Sequence, residues 1–276
     1  MAEDILASGE ADMISMARPF LADPHFVKKV REGRADEINT CIACNQACLD
    51  FIFSDRPVSC LVNPRAGRET EFRDTPTDSP RKVAVVGGGA AGMATAAEAA
   101  RLGHVVTLFE AHDRLGGQLN LARAAPGKDE FDETLRYYSG QMHKHGVTLR
   151  LGQRAGLDDL TGFDHVVIAT GVTPRIPDLP GVDHPSVATY AEILSGERAA
   201  GDNVVVMGAG GIGHDVAEFL VTGSAEVHST NAFCETWGVD PTFAASGGLA
   251  GDPLAPKPSR RKVVMLQRKT SKPGAG

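Results

Sequence analysis

The stretch Val83-Ala84-Val85-Val86-Gly87-Gly88-Gly89-Ala90-Ala91-Gly92 decides the fold. Four consecutive apolar residues suit a strand buried on both faces, as in parallel sheets. The glycines match G-x-G-x-x-G directly between that strand and an alanine-rich helix, the context in which the pattern carries weight. Gly87 permits the tight turn, Gly89 lets a pyrophosphate approach the backbone, and Gly92 lets the helix pack closely on the strand. The helix N-terminus then attracts the phosphates. A second strand runs from Val105 to Glu110, and Glu110 stands 18 residues after Gly92, where a carboxylate can accept hydrogen bonds from an adenosine ribose. The plain alternative is a glycine-rich turn that holds no ligand.

Toward the C-terminus the pattern continues with a helix around Asp129 to His145 and strands near Val147-Thr148-Leu149 and Asp164 to Ala169. A second strand-turn-helix then begins at Val204-Val205-Val206-Met207. Its turn, Gly208-Ala209-Gly210-Gly211-Ile212-Gly213, repeats the fingerprint through Gly208, Gly210 and Gly213, so the chain reads as an internal duplication of nucleotide-binding halves. The return strand, Lys262 to Gln267, ends on Gln267-Arg268-Lys269 in place of an acid. Arg268 and Lys269 would pair with the 2′-phosphate of NADP(H), or else they are solvated loop charges. Gly213 and Gln267 lie 54 residues apart instead of roughly 20, which demands an insertion. Ser246 to Arg260 reads as its surface excursion, and the second sheet reads as unfinished.

Toward the N-terminus, Asn63-Pro64 and then Arg73 to Pro80 give a polar, proline-punctuated linker, and a domain boundary belongs there. Before it stands Cys41-x2-Cys44-x3-Cys48-x11-Cys60, four thiols that can hold an iron–sulfur cluster, three corners from a compact run and the fourth from a returning loop. A four-cysteine zinc site asks for the same donors, although it more often uses two C-x2-C pairs. Cys234 stands alone and reads as a core or surface residue. Glu3 to Gly33 reads as a helix, a short strand Met13-Ile14-Ser15-Met16 and a second helix after Pro19. About 40 residues cannot close a barrel.

The bulk numbers restrict the partners. With 42% apolar and 23% charged residues the chain can bury a core, and a net charge of -7 disfavours nucleic acid and anionic membranes. Small-molecule partners fit better. With no long apolar stretch and no signal-like start, the chain reads as cytoplasmic. Tyr137, Tyr138 and Tyr190 read as packing or surface residues, His214 and Asp215 as a polar helix start, and Trp237 as an anchor for the insertion.

Cys41-Ile42-Ala43-Cys44-Asn45-Gln46-Ala47-Cys48-Leu49-Asp50, the return Ser59-Cys60-Leu61-Val62-Asn63-Pro64 and both glycine turns resemble the bacterial NADPH-dependent 2,4-dienoyl-CoA reductases. These belong to the old-yellow-enzyme-like flavoproteins, a group that includes trimethylamine dehydrogenase. Ala232 to Gly238 and Val264 to Lys269 also have counterparts there. The resemblance implies an FMN-binding TIM barrel, a [4Fe-4S] cluster and two Rossmann-like domains for FAD and NADPH. It makes Cys41, Cys44, Cys48 and Cys60 the cluster ligands. Ala91, Glu110, Gln118, Lys128 and Ala155 match FAD-contacting positions, and Ala17 and Arg18 match the barrel end whose arginine holds the FMN phosphate. Electrons would pass from NADPH, as a two-electron hydride, through FAD and the one-electron cluster to FMN, which reduces the conjugated double bond.

The implied architecture is α/β. Residues 1–40 are the last strand and helix of a TIM barrel, 41–80 the cluster segment and linker, 81–200 the FAD-binding domain, and 201–276 an incomplete NAD(P)H-binding domain. By the same resemblance most of the barrel, with the residues that protonate substrate, precedes Ala17, so the FMN site is largely missing and no catalytic acid is assigned. The chain then reads as truncated at both ends. It would be a remnant or an electron-transfer module whose partner is a separate barrel protein.

Overall fold

The computed structural model describes residues 2–72, 74–222, 229–242, 244–249 and 258–272, and they fall into two compact units. The first comprises residues 1–119 and 130–171, the second residues 120–129 and 172–276.

The first unit begins with short helices α1 (Ala2–Ala7), α2 (Arg18–Ala22) and α3 (Phe26–Arg31), followed by a 3-10 turn, Ala35–Glu37. Pro19 sits in the first turn of α2, where its missing N–H costs nothing. The strand expected at Met13–Met16 is not formed: these residues have no regular structure. A strand needs a neighbour for its ladder, and none of the described residues supplies one here.

After the cysteine run and α4 (Leu49–Ile52), residues 74–81 form neither helix nor strand. Then come β1 (Lys82–Val86), α5 (Ala90–Arg101), β2 (Val105–Phe109), α7 (Phe131–Lys144), β3 (Thr148–Arg150) and β4 (His165–Ile168); α6 (Leu119–Ala122), between β2 and α7 in the chain, belongs to the second unit from Asn120 on. The four strands make one parallel sheet in the order β3-β2-β1-β4. The order reverses at β1, which makes the carboxyl end of β1, beside β4, the topological switch point where such sheets bind ligands.

Burial follows from the residues. Val83, Ala84 and Val85 are buried, as a central parallel strand requires. The small faces of Ala96, Ala97 and Ala100 let α5 lie close to the sheet, and Met93, Leu108 and Met142 fill the space between α5, α7 and β2. In α7, Thr134, Tyr138 and Met142 recur every four residues on the buried face. Asp132 and Glu133 begin α7, and His143 and Lys144 end it, each matched to the helix dipole.

Polar contacts join the N-terminal helices and the cysteine segment to this unit. The nearly buried Asp23 accepts from Lys29 Nζ at 2.5 Å and from the Asn39 N–H at 2.9 Å. Asn63 donates to the Leu21 carbonyl at 2.9 Å, and Asn39 to the Val62 carbonyl at 2.7 Å. From α7, Arg136 donates to the Ile38 carbonyl and Glu133 accepts from Thr40. Arg65 bonds Glu98 on α5, which Arg101 also holds.

The second unit holds α8 (Tyr190–Leu194), β5 (Asn203–Met207), α9 (Gly211–Thr222), α10 (Thr230–Trp237) and β6 (Lys262–Leu266). β5 and β6 pair in parallel, from Asn203↔Lys262 to Met207↔Leu266. Val216 and Leu220 of α9 pack with Leu194, Val204, Val206 and Val263. Thr189 and Glu192 form a reciprocal capping box on α8, and α10 starts on the Ser229 cap and stops at Gly238, whose φ is +65. The described part of the insertion closes with a Val239↔Leu249 bridge. Much of the excursion expected at Ser246 to Arg260 lies outside the described residues. Trp237 is more than half exposed and meets Phe233, and Tyr190 packs in this unit's core.

Candidate functional site

The first glycine turn sits at the switch point. Gly87 has φ +112, and a side chain there would drive a Cβ to 2.3 Å from the Ala169 carbonyl oxygen beyond β4. At Gly92 a Cβ would come within 1.8 Å of the Gly87 oxygen, so this glycine is what lets α5 start so near the strand. Gly89 is different: nothing lies within 4 Å of its would-be Cβ. Its open side faces the start of α5, which no side chain caps, and the first helical bond is that from the Met93 N–H to the Gly89 carbonyl. The preceding N–H groups, including that of Ala91, therefore remain available to an anion.

Glu110 follows β2 and is 6% exposed. One carboxylate oxygen accepts from the Gly88 N–H at 2.6 Å, and the other from the His112 N–H at 2.8 Å, with the His112 ring Nδ1 at 2.7 Å. Burial opposes its charge, but the N–H groups of His112 and Gly88, then the His112 ring, outweigh burial and hold the carboxyl below its usual range. It is thus an ionised acceptor beside the turn. Gly116 and Gly117, which the sequence reading passed over, complete the wall: the Gly116 N–H donates to the Gly88 carbonyl, and a Cβ on Gly117 would stand 3.1 Å from Gly89 Cα. Adjacent glycines just after the acid were the available signal. Gln118 follows them and is exposed, and Ala155 lies half-buried in the loop after β3.

The cysteine segment forms a second centre in the same unit. Cys41, Cys44, Cys48 and Cys60 are all half-buried free thiols, and all four line one pocket, with Arg18 and the apolar Leu21, Ile42, Leu61 and Val62. Among the described residues no three His, Cys, Asp or Glu side chains are grouped as ligands of a single metal ion. Ala43 and Asn45, between the first three cysteines, have φ of +52 and +59. Left-handed backbone at non-glycine residues costs energy and turns successive N–H groups inward, as around anionic clusters. Burial pushes the Cys60 thiol up, as do the neighbouring Cys41 and Cys44, while the backbone N–H groups of Val62 and Asn63 bond its sulfur and draw it down. Arg18, the first residue of α2, donates from Nη1 to Asn45 Oδ1 at 2.6 Å, and Ala17 beside it is exposed. Tyr137 and Tyr138 are core residues whose phenols burial pushes upward, so neither is set to release a proton at neutral pH.

In the second unit Gly208 and Gly213 repeat the first turn closely: Gly208 has φ +121, and a Cβ on Gly213 would meet the Gly208 oxygen at 2.0 Å. Gly210, like Gly89, faces open space. Arg268 and Lys269 follow β6, exposed and without an ion pair among the described residues. Lys128 does not stand alone: its Nζ donates to Asp215 of α9 at 2.6 Å. No described helix is long and apolar enough to cross a membrane.

Comparison with known proteins places this geometry. Residues 81–236 match the pyridine nucleotide-disulphide oxidoreductase family, and residues 1–37 match the NADH:flavin oxidoreductase / NADH oxidase family. A metal reductase of Desulforamulus reducens is 41% identical over 80% of this chain and 34% of its own length. A bilirubin reductase of Mediterraneibacter gnavus is 38% identical over 82% of this chain and 36% of its own. Among solved structures, a 2-naphthoyl-CoA reductase complex superposes with a TM-score of 0.76 at 40% identity, covering 79% of this chain and 34% of that one. The chain spans about a third of the length of these relatives. The chain belongs to the pyridine nucleotide-disulphide oxidoreductase family and to the flavoprotein group of the 2,4-dienoyl-CoA reductases, old-yellow-enzyme-like proteins and trimethylamine dehydrogenase.

Proposed function

We propose that this chain is the electron-input part of a flavin-dependent reductase, taking electrons from NADPH through FAD and a [4Fe-4S] cluster toward FMN and a conjugated C=C substrate, such as a 2,4-dienoyl-CoA. The observation that carries the reading is one compact unit containing both a four-thiol pocket and a glycine turn walled by an ionised carboxylate.

The residues fit FAD at the first turn. Open space in front of Gly89 admits a pyrophosphate, the uncapped start of α5 supplies N–H donors, and Glu110 is held ionised to accept from ribose hydroxyls. Bound there, the flavin supplies the exchange between two-electron and one-electron chemistry. The thiol pocket fits a cluster better than zinc. Its four sulfurs border one concavity, its walls are apolar, and its loop bends through left-handed residues. The N–H groups of Val62 and Asn63 would steady the Cys60 sulfur in its anionic form. At the second turn, Gly208, Gly210 and Gly213 repeat the phosphate cradle, and exposed Arg268 and Lys269 are free to meet a 2′-phosphate. For FMN the fit fails: Ala17 and Arg18 alone enclose no flavin, so no step is assigned to these residues.

The relatives named for bilirubin and 2-naphthoyl-CoA reduction support an unsaturated substrate. A Cys44→Ser chain, purified without oxygen, tests the reading. Cluster absorbance is expected to vanish while FAD content holds, whereas a cluster that persists at wild-type iron content refutes the ligand assignment.

A further inference from the structure

Resting on the cluster reading above, the geometry points to Arg18 as the residue that sets the reduction potential of the thiol site. Arg18 belongs to α2, outside the cysteine run, yet its guanidinium is hydrogen-bonded to Asn45 between Cys44 and Cys48, and it lines the same pocket as all four thiols. The rest of that lining is apolar or amide: Leu21, Ile42, Ala47, Leu61, Val62 and Asn45. Among the described residues, Arg18 is therefore the single cationic side chain on the wall.

Four thiolates give an assembled cluster a net negative charge, and accepting one electron adds another, with no bond formed or broken. A fixed positive charge on the wall favours the more negative, reduced form. Arginine suits the task because its guanidinium stays protonated at every working pH. The bond to Asn45 Oδ1 uses Nη1 and holds the charge at the pocket, and Asn45 is itself held in a left-handed conformation within the loop. Nε and Nη2 remain for a second anion, so the phosphate contact implied by resemblance and the cluster contact do not compete for the same N–H groups.

The test is a redox titration of the full chain, reconstituted with iron and sulfide without oxygen and followed by the electron paramagnetic resonance of the reduced cluster. Arg18→Gln keeps an amide donor for Asn45 and removes the charge, so its midpoint potential is expected to move to a more negative value at unchanged iron content. Arg18→Lys is expected to restore it. Equal potentials in wild type and Arg18→Gln, both with full iron, overturn the inference and leave the cluster reading intact. Loss of iron from both variants makes Arg18 a structural clamp and also overturns it. Failure of the wild-type chain to hold any cluster instead overturns the reading on which it rests.

Discussion

The two glycine turns share one backbone solution and differ in what surrounds it. At Gly87–Gly92 and at Gly208–Gly213 the last glycine is forced by the carbonyl of the first, within 1.8 and 2.0 Å of a would-be Cβ, and the middle glycine faces open space. The first turn belongs to a four-stranded sheet and carries a buried, ionised Glu110. The second belongs to a two-stranded sheet and is followed by exposed Arg268 and Lys269. On the reading proposed above, the shared backbone cradle would take a phosphate in either place, and the residue after the second strand would select the nucleotide.

The sharpest way to break this comparison is at the forced glycines. Gly92→Ala puts a methyl into the Gly87 carbonyl, so about 3 kcal/mol of stability and all bound FAD are expected to go. Urea unfolding and released-flavin assay check it, and wild-type behaviour would mean that the turn tolerates a Cβ. Gly89→Val separates binding from folding: with nothing within 4 Å, the fold should survive while the pyrophosphate is blocked. Undiminished flavin in that variant refutes the FAD placement. Glu110→Ala removes an ionised acceptor and leaves the buried Gly88 N–H unpaired. About 2 to 3 kcal/mol of FAD affinity should be lost, readable by flavin fluorescence titration. Arg268→Ala with Lys269→Ala acts on solvated charges and should lower the preference for NADPH over NADH about tenfold, near 1.4 kcal/mol, in steady-state reduction assays.

The smallest effect concerns the contact between the cysteine segment and α5. Hydrogen bonding to Arg101, and then to Arg65, holds the Glu98 carboxyl down to about 2. A carboxyl lowered from 4.5 stabilises the fold above its unfolded value and loses that contribution as pH falls from 4.5 through about 2. With 41% of the side chain exposed, screening leaves about 1 kcal/mol. Glu98→Gln should flatten the acid side of the stability curve by that amount in urea melts at successive pH values. An unchanged slope would remove Glu98 from the account.

Much of the first unit was legible because its signals are local. Apolar runs ending in glycine placed β1, and the 3.6-residue period of α7 needed no distant partner. Met13–Met16 failed for the opposite reason, since a strand is a statement about its neighbours, and the apolar run alone could not supply one. The thiols were legible by spacing, but the pocket was not. It depends on Arg18 reaching Asn45, and on Asn39, Asp23 and Asn63 joining segments 16 to 42 residues apart, contacts that no periodicity encodes. Asn63-Pro64 reads as the start of a linker, but Asn63 is buried and clasps α2 through the Leu21 carbonyl. Lys128, matched to flavin by resemblance, is bonded to Asp215.

The central claim is that one chain holds flavin and cluster and accepts electrons from NADPH. It is tested most directly by anaerobic purification with iron, sulfide, zinc and released flavin quantified, then NADPH addition while flavin absorbance is followed. Iron and sulfide in [4Fe-4S] proportion, FAD present, and bleaching by NADPH are the expected result. Zinc in place of iron, or a flavin that NADPH leaves oxidised, would contradict it.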